Sequence, residues 1–203
     1  VREVAPTHSG PADDTRMGAF VALSWIGFLD SATRGSALVF LPFVMEAKGM
    51  SLGQVSGLLV LLFAGGAAGK FLCGWLDDRY GSVRLIWGTK GLTALLLLAS
   101  VVGPAWSMAP LMVVLGIGLN GTSSVLYATV ATFVPPRLRS RAYGYYYTVT
   151  ETGGTIAPII YGRVADLLNI RFAVTVMSAV TALILPASLA LRRPLGQTTE
   201  SGG

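Results

Sequence analysis

Six runs of mostly apolar residues, each about the 20-residue length that crosses a bilayer's hydrocarbon core, constrain this chain more than any other feature. They extend roughly from Met17 to Phe43, Leu52 to Leu76, Val83 to Val102, Met108 to Val134, Ala142 to Tyr161 and Phe172 to Leu191. Turn chemistry separates them: Glu46-Ala-Lys48-Gly49, Asp77 to Gly81, Gly103-Pro104, Pro135-Pro136-Arg137, and Asp166 to Arg171. These are helix stops and surface-seeking charges. Backbone polar groups find no water in lipid, so such runs must close their hydrogen bonds internally as helices. The expected fold class is therefore all-α, a polytopic membrane protein built as a six-transmembrane-helix bundle. Composition supports this: 53% of the residues are hydrophobic and 12% charged, against a soluble average of roughly 25% charged. A disordered chain, a coiled coil and an ordinary soluble enzyme domain are excluded.

The enzyme and cofactor classes narrow quickly. A single cysteine, Cys73, allows no internal disulfide and no cysteine metal cluster. The single histidine, His8, lies in a polar tail, which removes an intramembrane protease that uses an internal histidine base. No HExxH, phosphate-binding loop or paired CxxC occurs, and the Asn-Pro-Ala elements of an aquaporin-like channel are absent. The expectation is a non-enzyme with no cofactor and no metal. Net charge is +5, but the arginines sit between apolar runs, where they set membrane orientation rather than bind nucleic acid.

Six spans place both tails on one side. That side holds Arg2, Arg16, Arg79, Arg84, Arg137, Arg139, Arg141, Arg192 and Arg193, and the other holds Lys48, Arg163 and Arg171. Nine basic residues against three put both termini in the cytoplasm of a cell membrane. Residues 1–16 carry no signal-peptide pattern and begin at Val1 rather than Met, and Thr7 to Thr15 is rich in Ser, Gly, Pro and Asp. The expected organisation is a cytoplasmic linker over 1–16, a membrane domain over 17–192 and a flexible tail over 193–203, the start reading as a connection inside something longer.

The most specific motif is Gly74-Trp-Leu76-Asp77-Asp78-Arg79-Tyr80-Gly81-Ser82-Val83-Arg84, expected as a tight connection between the second and third spans. Gly74 suits close approach to a neighbour, Asp78 can face the positive end of another helix, Arg79 can pair with an acid or with helix-end carbonyls, and Gly81 permits positive φ. A weaker echo, Gly162, Asp166, Asn169 and Arg171, lies between the fifth and sixth spans. Two three-span units with echoed turns have opposite topology, because three is odd.

The motif resembles the loop signature of the major facilitator superfamily, G-x-L-x-D-R-x-G followed by two basic residues. Gly74, Leu76, Asp78, Arg79 and Gly81 match; Ser82 and Val83 depart, and Arg84 follows. The fifth span, with Arg141, Gly144, Thr148, Gly153, Gly154, Pro158, Gly162 and Asp166, is similar to the family's second half. The likeness covers about residues 17–192, and within the family the text looks loosely like bacterial drug- or fosmidomycin-resistance carriers. The resemblance implies the C-terminal half of a twelve-span transporter with a three-plus-three inverted repeat, working by alternating access. Its partners are then the lipid bilayer, a missing N-terminal six-helix half (or a second copy), a small-molecule solute and protons.

Ionisable groups at membrane depth are costly and so mark candidate sites. Asp30 and Arg34, four apart on the first span, can pair on one face, either lining a cavity or locking helix packing. Tyr143, Tyr147, Thr150, Glu151, Gly154, Pro158 and Tyr161 share one arc of the fifth span, and the lone acid among them, Glu151, suits proton uptake and release or a hydrogen bond to a neighbouring helix. Asn120, Ser124 and Tyr127 form a polar face on the fourth span, for solute contact or interhelical bonding. Lys70 and Lys90 are expected to snorkel to the cytoplasmic interface. Gly65, Gly66, Gly69, Cys73 and Gly74 give small-x-x-x-small spacings for close packing. Together these residues suggest a secondary transporter, coupled to protons through Glu151 or Asp30, for a small polar or amphipathic organic solute. The alternative is a non-transporting membrane scaffold.

Overall fold

The computed structural model describes residues 11–189, with side chains from residue 17 onward. Its long helices are α1 (Pro11–Glu46), α2 (Leu52–Tyr80), α3 (Ser82–Val102), α4 (Met108–Phe133) and α5 (Arg139–Leu167), followed by α6 (Ile170–Ala182) and the short α7 (Ile184–Ser188). No strand occurs among the described residues. Each of the six expected spans is helical. The sixth is broken rather than continuous, because Pro186 has no N–H to offer the Ala182 carbonyl and the helix divides at Leu183. The first begins at Pro11, a residue suited to the opening turn of a helix, so residues 11–16 of the expected linker are helical. Residues 1–10 and 190–203, including His8, Arg2, Arg192, Arg193 and the expected tail, lie outside the described residues.

The turns follow from local chemistry. Ser51 and Gln54 form a reciprocal capping box at the start of α2. Gly81 alone joins α2 to α3, at φ 80°, a conformation that glycine adopts without strain. Lys48 donates to the Val101 and Gly103 carbonyls and so ties the α1–α2 turn to the end of α3. Burial, and then the positive charge of Arg171, lower the pKa of that ammonium.

The bundle buries two apolar clusters end to end. One joins Leu41, Met45, Leu62, Leu97, Met112, Leu115 and Met177 near the Gly49 turn. The other joins Leu23, Ile26, Ile86, Leu126, Val130, Tyr146 and Ile184 near the Gly81 turn. Between them runs a polar belt. The hydroxyls of Thr33 and Thr181 bond at 2.9 Å, Thr122 donates to Thr89 at 2.8 Å, and Ser178 donates to the Ala94 carbonyl at 2.7 Å. Outward faces are apolar instead of charged: Phe71, Val102, Trp106 and Leu167 are each more than four-fifths exposed, as lipid contact requires. Four helical units, Leu52–Tyr80, Ser82–Val102, Ala105–Phe133 and Ile170–Ser188, are long and apolar enough to cross a membrane by length and composition. The remaining two long helices, α1 and α5, carry most of the polar groups described below.

The tightest pairings are α2 with α4 and α1 with α5. Exchanging α1–α3 for α4–α6 in order converts one pairing into the other, the relation expected of an inverted repeat. Both seams close on glycine. A Cβ on Gly65 or Gly116 would run into the carbonyl of Val113 or Leu62 respectively, and one on Gly35 would meet the Gly154 carbonyl at 2.6 Å. Pro158 leaves that Gly154 carbonyl without its helical donor. We expect Gly116→Ala to lower stability by roughly 1–3 kcal/mol, the usual penalty of overpacking a filled core. Gly57→Ala, which meets open space, should be neutral or slightly stabilising. Thermal unfolding in detergent compares them, and equal melting temperatures would mean that the α2–α4 seam is not held by close backbone approach.

Candidate functional site

A cavity of about 550 Å³ opens between α1, α2, α4 and α5. Helix α1 contributes Gly27, Asp30, Ser31 and Arg34; α2 contributes Lys70; α4 contributes Ser123, Ser124 and Tyr127; α5 contributes Tyr146, Tyr147, Thr150 and Glu151. Along the chain these residues fall between the two apolar clusters, level with the polar belt. A separate recess of about 500 Å³, mostly apolar, lies between α1 and α5, where Phe20, Trp25, Phe28 and Tyr145 meet.

The charges pair differently from the sequence expectation. Asp30 does not pair with Arg34. Its carboxylate meets the ammonium of Lys90 from α3, and both side chains are almost fully buried. Lys90 also donates to the Gly118 carbonyl at 3.2 Å. Lys90 is therefore not snorkelling to an interface; it reaches inward through the bundle. Arg34 turns the other way. Its Nη2 lies 4.0 Å from Oε1 of Glu151 and donates to Ser31 Oγ at 3.3 Å. The physical reason lies between helices: residues four apart share a face, but α3 brings Lys90 to Asp30 and α5 brings Glu151 to Arg34. Glu151 thus has a basic neighbour, though on another helix. About half of its side chain is exposed, against a quarter of Arg34's.

The aromatic wall is ordered by stacking. Tyr127 lies parallel to Tyr143 with ring centroids 6.0 Å apart and edge-on to Tyr146 at 5.2 Å, geometries that aromatic quadrupoles favour. Tyr146 is buried against Gly27, where any Cβ would strike the phenol. Tyr127 and Tyr147 keep exposed ring surface, and Tyr127 is within electrostatic reach of Tyr147, Glu151 and Arg34.

Among the sequence candidates, the fold gathers Asp30, Arg34, Tyr127, Tyr147 and Glu151 around one cavity. Asn120 is elsewhere: its amide packs against Gly66 in the α2–α4 seam and donates to the Gly116 carbonyl at 3.4 Å. Tyr161, also on the expected α5 arc, is buried in the apolar cluster near the Gly49 turn. Lys70 lines the cavity, where an interfacial position was expected. Sequence reasoning missed Ser123 and Tyr146, and it missed Lys90 as the partner of Asp30. One signal for Lys90 was available, since a lysine inside an apolar run flanked by Thr89 and Thr93 needs an anion.

The Gly74–Arg84 motif is helical up to Tyr80, with Leu76 half-buried, and only Gly81 breaks it. Asp78 and Arg79 are exposed, and Arg84 follows in the first turn of α3, likewise exposed. Arg79 sits over the Trp75 ring at 5.7 Å, not against an acid. Asp77, rather than Asp78, turns a carboxylate oxygen into the protein. A Cβ on Gly74 would meet nothing within 4 Å, so no neighbour closes on it here.

Comparison with known proteins gives a consistent picture. The family model described as Major Facilitator Superfamily matches residues 23–202. A gentisate transporter from Corynebacterium glutamicum is 31% identical over 126 residues, covering 61% of this chain and 28% of that protein. The multidrug resistance protein MdtG of Serratia proteamaculans is 30% identical over 173 residues, 80% of this chain and 42% of the relative. A 3-(3-hydroxy-phenyl)propionate transporter from Escherichia coli is 29% identical over 153 residues, covering 75% and 38%. The chain spans less than half the length of each of these relatives.

Proposed function

The chain belongs to the Major Facilitator Superfamily, a family of multi-pass membrane transporters rather than enzymes, and we propose that it supplies one six-helix half of a proton-coupled secondary active transporter. The observation that carries this reading is the cavity itself. An otherwise apolar bundle places Arg34, Glu151, Lys70 and three tyrosines around an open space of about 550 Å³ at the level of its polar belt. Such groups are costly at membrane depth and are kept where they face solute, ions or water. Arg34 and Glu151 are open on one side. A second six-helix bundle covering that side converts the cavity into a midplane site, and rocking of the two halves gives alternating access.

The solute on this reading is a small polar or amphipathic organic molecule. The relatives' names support that class, since they include two aromatic acids as well as multidrug resistance. Orientation follows from charge. Arg79, Arg84, Arg137, Arg139 and Arg141 lie at the Gly81 end of the bundle, and Lys48, Arg163 and Arg171 at the Gly49 end. The Gly81 end then faces the cytoplasm, as do both termini, in a bacterial-type inner membrane.

Reconstitution tests the proposal. Vesicles containing the complete carrier, this chain joined to its complementary half, are expected to accumulate solute when a proton gradient is imposed, whereas the 203-residue chain alone gives none. Concentrative transport by the chain alone overturns the division into halves. Absence of proton-driven transport by the complete carrier, across anionic, cationic and neutral aromatic probes, overturns the transporter reading.

A further inference from the structure

The cavity lining holds two cations, Arg34 and Lys70, and two carboxylates, Asp30 and Glu151, and Lys90 behind it adds a third positive charge. Asp30 is occupied from behind by Lys90, which does not itself line the space. Arg34 holds Glu151 only loosely, at 4.0 Å. Lys70 lines the cavity without an ion pair or hydrogen bond among the described residues. Three cations, Arg34, Lys70 and Lys90, thus face two carboxylates, Asp30 and Glu151, and leave one positive charge uncompensated. The exposed rings of Tyr127 and Tyr147 line the same space, the first held in place by Tyr143 and Tyr146.

Resting on the transporter reading above, we propose that this cavity is a site for an aromatic carboxylate carrying a single negative charge. Its carboxylate binds Arg34 and Lys70, its ring lies against Tyr127 and Tyr147, and Glu151 is the internal carboxylate that it displaces. Each part follows from the groups present. A guanidinium offers paired donors in the geometry of a carboxylate, and an ammonium adds a second point charge. Phenol rings give a planar solute stacking surface. A space of this volume is within the range of small-ligand sites. A cationic solute would place its charge beside two cations while the deeper carboxylate is already neutralised. A dianion, even with one proton taken up, would not return the cavity to the charge it has when empty.

The displacement has a consequence for coupling. When a solute carboxylate takes Arg34, Glu151 loses its nearest cation and can accept a proton that enters from the same aqueous side as the solute. The groups around Glu151 are then Tyr127, Tyr146 and Tyr147, an Arg34–solute pair, Lys70, and Asp30 held by Lys90. The cavity's net charge is one positive when empty. It is again one positive when loaded with one anion and one proton. Loaded and empty carriers therefore reorient at similar electrostatic cost, and the solute and the proton travel together.

The test is equilibrium binding of radiolabelled benzoate to the purified 203-residue chain in lipid nanodiscs, competed by cyclohexanecarboxylate, benzyl alcohol and benzyltrimethylammonium. Benzoate should bind, cyclohexanecarboxylate should compete more weakly, and the alcohol and the cation should not compete. Arg34→Gln should weaken benzoate binding roughly thirtyfold or more, since it truncates a charged pair. Glu151→Gln should tighten it several-fold by removing the competing carboxylate, an effect opposite in sign to damage from misfolding. Tyr127→Leu should erase the preference for the aromatic acid. Preferential binding of the cation, or benzoate affinity that falls or stays unchanged in Glu151→Gln, overturns the proposal. Transport of benzyltrimethylammonium by the complete carrier without benzoate binding also overturns it, while leaving the transporter reading intact. Benzoate binding without transport of any anionic, cationic or neutral aromatic probe by the complete carrier supports the anion site and overturns the transporter reading. Neither binding nor transport overturns both.

Discussion

Lys90→Met is expected to destabilise the bundle by about 3–5 kcal/mol, the range measured when one partner of a buried ion pair is removed. Both side chains of the pair are almost fully buried, so no solvent takes over the lost interaction. The variant leaves Asp30 with no cation and obliges it to remain charged in a dry site or to take a proton. The Gly118 carbonyl loses a donor at the same time. Asp30→Asn in the Lys90→Met background removes the stranded charge and should recover much of the loss, because uncharged replacements of a buried pair are often close to neutral. Thermal unfolding in detergent of the two single variants and the double variant gives the coupling. Equal stability of Lys90→Met and the double variant would show that Asp30 is not held by Lys90. Since Asp30 also lines the cavity, the double variant separates folding from function: it should fold, and any loss of solute binding then reports on the site.

The helices were readable because their signals are local. The first, third and fourth spans stop close to the expected residues, at Glu46, Val102 and Phe133, and Gly81 turns the chain as its position between two apolar runs implies. The break at Leu183 was less visible because Pro186 sits one turn beyond the carbonyl it frees. The motif before Gly81 reads as a loop from its charges, yet nothing in Gly74–Tyr80 forbids a helix, and α2 continues through it. The site was half legible. An acid or base inside an apolar run is recognisable from sequence, and five of the six expected cavity residues converge. Which acid meets which base is decided by interhelical geometry, which one helix's spacing does not contain. Asp30 could choose Arg34 on its own helix, yet α3 brings Lys90 to it across the bundle. Asn120 illustrates the same limit. It shares a helical face with Tyr127, but Gly66 opens a niche in α2 that receives its amide in the seam.

Glu151→Gln in the complete carrier is expected to abolish proton-driven accumulation while leaving exchange of solute down its own gradient in place. Glutamine keeps the size of the side chain and an oxygen that can still accept from Arg34, so the 4.0 Å contact between α1 and α5 loses charge but not shape. What it cannot do is take up a proton when Arg34 is occupied. Asp30 is a poor substitute because Lys90 holds it, and among the described residues no other carboxylate lines the cavity. The expected size is set by the gradient. One proton per solute supports up to about tenfold accumulation for each pH unit imposed, since one unit is about 1.36 kcal/mol, and without coupling the ratio falls to that of passive equilibration. The measurement is uptake of labelled solute into vesicles with a pH step, repeated after a protonophore collapses it, and paired with counterflow at equal pH. A Glu151→Gln carrier that still concentrates solute against its gradient would assign coupling to another group. Loss of counterflow together with accumulation would mean that Glu151 is needed for the site's shape or for reorientation rather than for coupling. Retained counterflow with no accumulation isolates the proton step at the Arg34–Glu151 contact, the place where the solute's charge and the proton's charge exchange.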